Sequence, residues 1–224
     1  LALETSTDAC SVALFIDGEL RERFEIAPRE HTRLILPMVD ALMAEAELKP
    51  AQLDAVALSR GPGSFTGVRI ATGVAHGIAF GADVPVVLVS TLAAIAQDFF
   101  NHQAEDLSFT AMDARMDEVF WGVHRRNALG LAELVGQEAV TPAQAVDCPE
   151  EYGVGVGSGW AVHGERLQAR LGERVQRIVS EIWPRAACIA QLAAFDYGNG
   201  LAVPVEQAMP VYLRDKVAKK ASER

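Results

Sequence analysis

Cysteine is scarce in this chain of 224 residues: there are three, Cys10, Cys148 and Cys188. An odd number with no Cys-x-x-Cys spacing argues against a disulfide framework or a zinc ribbon, and for a reducing compartment. The histidines, His31, His76, His102, His124 and His163, include no two that stand four apart on one helix, so no metal-binding pair is visible. No Gly-x-Ser-x-Gly elbow nominates a nucleophile. No apolar run reaches the roughly 18 residues a membrane span needs. The chain opens on a strand-like "LALE" with no leader pattern, so a cytoplasmic protein without membrane contact is expected. Basic residues are outnumbered 20 to 30, a formal net charge of −10. That balance opposes unaided binding to a nucleic-acid backbone. The local exception is the tail "LRDKVAKKASER", with Arg214, Lys216, Lys219, Lys220 and Arg224. It reads as a solvated terminus, with contact to RNA or an acidic partner as the alternative.

What is present is apolar: half of the residues are hydrophobic, enough for a sizeable core. "LALETST" is a short strand running into a hydroxyl-rich loop. "CSVALFIDGELRERFEI" is two strands joined at Asp17-Gly18, a strong hairpin signal. "HTRLILPMVDALMAEAEL" has apolar residues at helical spacing, with Pro37 in its first turn or at a kink. "LDAVALSRG" and "VPVVLVS" are buried strands, and "FTGVRIATGVAHGIAF" and "TLAAIAQDFF" are helices. The order βββαβαβα predicts a mixed sheet with helices on its faces.

After Asn101 the pattern restarts, more weakly. "LSFTAMDARMDEVFWGVH" reads as strand, turn, strand, and "LAELVGQEAV" as a further strand. "TPAQAVDC" reads as a short helix, "YGVGVGS" as a glycine-rich strand, and "GWAVHGERLQARLG" and "RAACIAQLAAFDYGNG" as helices. Two related α/β lobes are expected, packed closely because no low-complexity linker divides them.

Four segments could carry chemistry. "SRGPGSFTG" follows a strand and opens a helix, as a phosphate loop would, but lacks the lysine of Gly-x-x-x-x-Gly-Lys-Ser/Thr. Its amides could still hold an anion, and Ser64 could cap the helix. "LETST" places Glu4 at a strand end before Thr5, Ser6 and Thr7, the arrangement in which actin-like ATPases hold a metal-bound phosphate. The plainer reading is a polar strand end. In "MDARMDEVFWG", Asp113 is followed by Ala114, Arg115 and Met116 where a phosphate loop needs glycines. Asp113, Asp117 and Glu118 would repel a triphosphate, so a polar turn is the simplest account. "GVGVGSGW" has alternate glycines, which allow close approach of a ligand or another backbone.

The second helix poses a different question. Gly67, Gly73 and Gly77 lie within it, and each interior glycine costs about 1 kcal/mol relative to alanine. Gly73 and Gly77 share a face. Either the helix packs tightly on its own sheet, or it meets a helix of another subunit. The wide apolar coverage of the preceding helix favours the second, because such a helix needs more than one cover.

Together, "LALETST", "HTRLILPMVDALM", "SRGPGSFTGVRIATGVAHGIA", "MDARMDEVFWG" and "PVYLRDKVAKK" resemble the bacterial TsaB family, also called YeaZ, over essentially the whole chain. The resemblance implies the α/β fold of the actin-like ATPases, with two ribonuclease-H-like lobes of mixed five-stranded sheets flanked by helices. Residues 1–103 would form the N-terminal lobe that carries the partner interface. Residues 104–224 would form a smaller, degenerate C-terminal lobe with the basic tail. It implies a non-catalytic subunit that pairs with TsaD and is joined by TsaE. TsaD threonylcarbamoylates the adenosine beside the anticodon of tRNAs reading codons that start with A. Transfer RNA would be met only through the complex, and a homodimer could form when the partner is absent. No cofactor or metal is expected; Glu4, Thr5, Ser6 and Thr7 are the candidates if a nucleotide binds. The expected interface is Leu34, Met38, Leu42, Gly73 and Gly77. The competing expectations are an ATP-binding enzyme of the same fold, a peptidase, or an RNA-binding module.

Overall fold

The computed structural model describes residues 1–214. The later cations of the basic tail, Lys216, Lys219, Lys220 and Arg224, lie outside the described residues. The first half runs β1 (Ala2–Glu4), β2 (Ala9–Ile16), β3 (Glu19–Ile26), α1 (His31–Glu45), β4 (Val56–Ser59), α2 (Phe65–Ala82), β5 (Val86–Val89) and α3 (Thr91–His102). The predicted order holds throughout this half. Asp17 and Gly18 both take positive φ, 51° and 87°, as a two-residue hairpin between β2 and β3 requires. Pro37 sits inside α1, beyond its first turn.

The second half runs β6 (Leu107–Asp113), β7 (Glu118–Arg126), β8 (Ala132–Pro142), β9 (Gly153–Val156), α4 (Ser158–Leu171), β10 (Val175–Val179) and α5 (Ala186–Gly198). The helix expected at "TPAQAVDC" shrinks to a single 3-10 turn, Ala143–Ala145. The strand β10 was not expected. The two sheets have the orders β3-β2-β1-β4-β5 and β10-β9-β6-β7-β8. Numbered within its own half, each is 3-2-1-4-5, with the same antiparallel and parallel pairings. This is the expected two-lobed, actin-like arrangement of mixed five-stranded sheets.

The helices tie the halves together. α1 and α2 cover one face of the first sheet, burying Ile35, Val39, Leu42, Ala71, Ala75 and Ala79 on Leu3, Val12, Leu14 and Leu58. Its other face, with Ala2, Ala13 and Ala57, receives α5 through Ile189, Ala190 and Ala193. α4 covers the second sheet through Trp160, Leu167 and Leu171. α3 covers that sheet's other face, with Leu92, Ile95, Phe99 and Phe100 on Met112, Val154 and Val156. A division at 103/104 therefore separates the strands but not the helices. α5 of the second half packs on the first sheet, and α3 of the first half packs on the second.

Beneath α3, the second sheet buries a polar group. His124 is fully buried, its Nδ1 lies 3.1 Å from Thr110 Oγ1, and its Nε2 has no partner among the described residues. Burial pushes its pKa down from 6.5 to about 3. Folding therefore excludes a proton that the unfolded chain binds below pH 6.5. The stability from a neutral His124 is full above that pH and lost as pH falls toward 3, at up to about 1.4 kcal/mol per unit. Wild type should thus lose about 2 kcal/mol more than a His124→Gln variant between pH 6.5 and 5. Urea melts at both pH values check this; equal losses would contradict it.

Candidate functional site

β1, β4 and β5 are parallel and end together. A phosphate site would sit there, and the loops that follow these strands fill it with one another. Ser64 N donates to Ser6 O at 2.7 Å, and Thr5 Oγ1 donates to Gly67 O at 2.6 Å. A Cβ on Gly63 would lie 2.5 Å from Ser6 O, and one on Gly67 would overlap the Thr5 carbonyl oxygen. These are contacts of backbone on backbone, the close approach that only glycine permits. Ser6 Oγ accepts from Thr91 Oγ1 at 3.3 Å, and Thr7 Oγ1 accepts from Ala9 N at 3.2 Å. Glu4 is fully buried and accepts from Ser6 N, while its second oxygen has no partner among the described residues. Burial raises its pKa, against the hydrogen bonding from Ser6 that lowers it. The Thr5 and Ser6 carbonyls face the start of α2, where a phosphate needs N–H donors. "SRGPGSFTG" is thus a lock between the β1–β2 loop and α2. Ser64 caps the helix, accepting from Gly67 N at 3.3 Å.

The second half repeats the outcome with different residues. Asp113 Oδ1 accepts from Arg115 N at 3.0 Å and faces His163 Nε2 at 3.2 Å. Arg115, Met116 and Asp117 take φ of 61°, 58° and 62° in succession, a left-handed turn built without glycine. The alternate glycines of β9 serve packing. A Cβ on Gly155 would lie 2.5 Å from Trp160 Cε2, and Trp160 Nε1 donates to Phe109 O at 2.7 Å.

α2 presents the open feature. A Cβ on Gly73 or Gly77 would meet nothing within 4 Å, and both glycines are exposed. Tight packing on the helix's own sheet is not their reason. Phe65, Arg69, Gly73, Gly77 and Phe80 lie within about 120° of one another around the helix. Phe65 is 59% exposed and Phe80 77% exposed. Two aromatic rings thus bracket a flat, small-residue stretch. Arg69 lies 3.3 Å from the Phe65 ring centre and 5.1 Å from that of Tyr212. Tyr212 belongs to a strap, Ala208–Arg214, that crosses between the halves. His76 Nε2 lies 2.7 Å from Ala208 O. Val211 N donates to Arg60 O at 2.8 Å, and Arg214 donates to Ala114 O at 2.9 Å and pairs with Glu118.

α1 requires a correction. Leu34 and Met38 are half-buried on the flank of the core, but Leu42 is 2% exposed and packs within it. At about 100° per residue, Leu42 stands about 80° around the axis from Leu34, which carries it onto the inward stripe. Leu36 and Pro37 face solvent in its place. Sequence reasoning missed Phe65, Arg69, Phe80 and Tyr212. The signal for the first three was their spacing with Gly73 and Gly77; Tyr212 is brought in by tertiary structure alone.

The chain matches the family model for TsaD, tRNA N6-adenosine threonylcarbamoyltransferase, over residues 25–222. It is 39% identical over 228 residues to the tRNA threonylcarbamoyladenosine biosynthesis protein TsaB of Haemophilus influenzae, covering 97% of this chain and 94% of that one. It superposes on YeaZ from Pseudomonas aeruginosa with a TM-score of 0.88 and 42% identity, over 95% of this chain and 98% of that one. The chain belongs to the TsaB family, also called YeaZ. A threonylcarbamoyltransferase of Nitratidesulfovibrio vulgaris is 39% identical over 110 residues, which is 42% of this chain but 30% of the enzyme. This chain is thus similar to that longer enzyme over a portion of its length. In this TsaB-family chain each of the five histidines has one ring nitrogen within hydrogen-bond distance of a protein group: Ala9 O, Ala208 O, Asp98 O, Thr110 and Asp113. Among the described residues, no helix is long and apolar enough to cross a membrane.

Proposed function

We propose that this TsaB-family chain is a non-catalytic subunit that pairs with the transferase TsaD. The pair acts in threonylcarbamoylation of the adenosine beside the anticodon of tRNAs reading codons that start with A. The observation that carries the reading is the open face of α2. Gly73 and Gly77 accept a loss of helix propensity with no neighbour of their own to accommodate. A second helix can approach closely there. Because chain and partner are homologues, the same helix face on each can meet about a pseudo-two-fold axis. Leu34 and Met38, on the adjoining flank of α1, widen the surface. The loops that would hold a nucleotide are closed on themselves, which supports a scaffold over an ATP-binding enzyme.

TsaE joins this pair, tRNA is met through the complex in the cytoplasm, and two copies of the chain use the same face when TsaD is absent. The test is reconstitution. TsaD supplied with threonylcarbamoyl-AMP and tRNA should modify the adenosine only when TsaE and this chain are added. Equal modification without the chain would overturn the assignment.

A further inference from the structure

Resting on that reading, we propose that Glu138 is a positioning residue that holds the launch loop of α2 in place from the second lobe. The register of β7 with β8 pairs Trp121 with Ala139 and Val123 with Val135. Between these pairs one residue, Gly122, stands against three, 136 to 138. This is a bulge, and Gly136 turns it with φ 81°. Bulges re-aim side chains, and this one directs Glu138 across to the first lobe. Gly122 packs beside it: a Cβ there would be in ordinary contact with Glu138 Cγ at 3.6 Å but only 2.9 Å from His124 Cε1.

The Glu138 side chain is 6% exposed and holds two groups of the first lobe. One oxygen accepts from Ser90 Oγ, and the other faces Arg60 Nη2 at 3.4 Å. Ser90 caps α3, accepting from Leu92 N at 3.1 Å and Ala93 N at 3.3 Å. Arg60 directly precedes Gly61, and its carbonyl accepts from Val211 of the strap. Thr91 N donates to Gly61 O at 3.0 Å. One carboxylate thus joins Arg60, which opens the loop leading into α2, to Ser90, the cap of α3. A buried carboxylate with two partners is costly to leave half-satisfied, and that cost fixes both loops. Burial holds the Glu138 carboxyl above the usual carboxylate range, with Ser90 and Arg60 opposing.

Hydrogen exchange on the free chain and calorimetry against TsaD test this together. Glu138→Ala should speed exchange selectively at residues 61–68, leave the rest of α2 and the first sheet near wild type, and weaken TsaD binding about tenfold. Glu138→Gln keeps one acceptor oxygen, which can face Arg60 while its amide N–H turns to Ser90 Oγ, and should lose less affinity than Glu138→Ala. If Glu138→Ala does not fold, Arg60→Ala removes the α2 side of the link from a half-buried position and should give the same faster exchange at residues 61–68. Uniform acceleration across the chain, or unchanged exchange at 61–68, would overturn the proposal. Wild type failing to bind TsaD would overturn the pairing reading instead, and exchange in the free chain would still decide the role of Glu138.

Discussion

Gly67→Ala should cost about 3 kcal/mol of stability and lower the melting temperature by about 6–12 °C, although alanine is the better helix former. The added methyl would overlap the carbonyl oxygen of Thr5 and lie 3.1 Å from its carbon. Neither atom is the end of a flexible side chain, so the β1–β2 loop or the start of α2 must move. Movement also strains the Thr5 Oγ1 bond to Gly67 O. The gain in propensity, about 1 kcal/mol, does not offset this. Gly73→Ala in the same helix has the opposite sign. Its methyl meets nothing, so stability should be unchanged or rise by up to about 1 kcal/mol. Thermal melts of both variants check the pair. Two variants that behave alike would show that the loop lock is not what the glycines of α2 distinguish.

Gly73→Leu should leave the isolated chain folded and weaken pairing with TsaD by at least about thirtyfold, the loss typical of an interface hot spot. The branched side chain would stand on the flat stretch between Phe65 and Phe80 and hold an approaching helix away. Phe80→Ala, at the rim of the same face, should cost less. The free chain is insensitive to both because the face is open. A fall in stability comparable to the fall in affinity would mean that the glycine serves the chain's own packing.

The first half was legible because its elements carry strong local signals. Asp17-Gly18 demands a left-handed pair, and "LDAVALS" and "VPVVLVS" are short apolar runs bounded by turn residues. The misses have physical reasons. "VQRIV" in β10 is a five-residue edge strand whose adjacent polar residues, Gln176 and Arg177, break the alternation that would mark a strand; its pairing with β9 is supplied by the fold. Leu42 was misplaced because an i, i+4, i+8 series rotates steadily toward the core. α5 is apolar on most sides, so its pattern could not say which sheet it covers. Of the site, the turn without glycine at Asp113–Met116 was readable, and so was the shared face of Gly73 and Gly77. Closure of the Glu4–Thr7 loop was not, because it depends on contacts between Thr5 or Ser6 and Gly63, Ser64 or Gly67, far apart in the chain. Glu138 was hidden for the same reason, since a bulge in β8 has no signature in "VGQEA" beyond one glycine.

The most direct test of the account is titration calorimetry of this chain against purified TsaD from the same source, with ATP titrated into the chain alone alongside. The account predicts a saturable, one-to-one complex with TsaD that Gly73→Leu weakens, and no heat from ATP. Binding of ATP with no complex formed would contradict it, and would make the Glu4–Thr7 loop a working site.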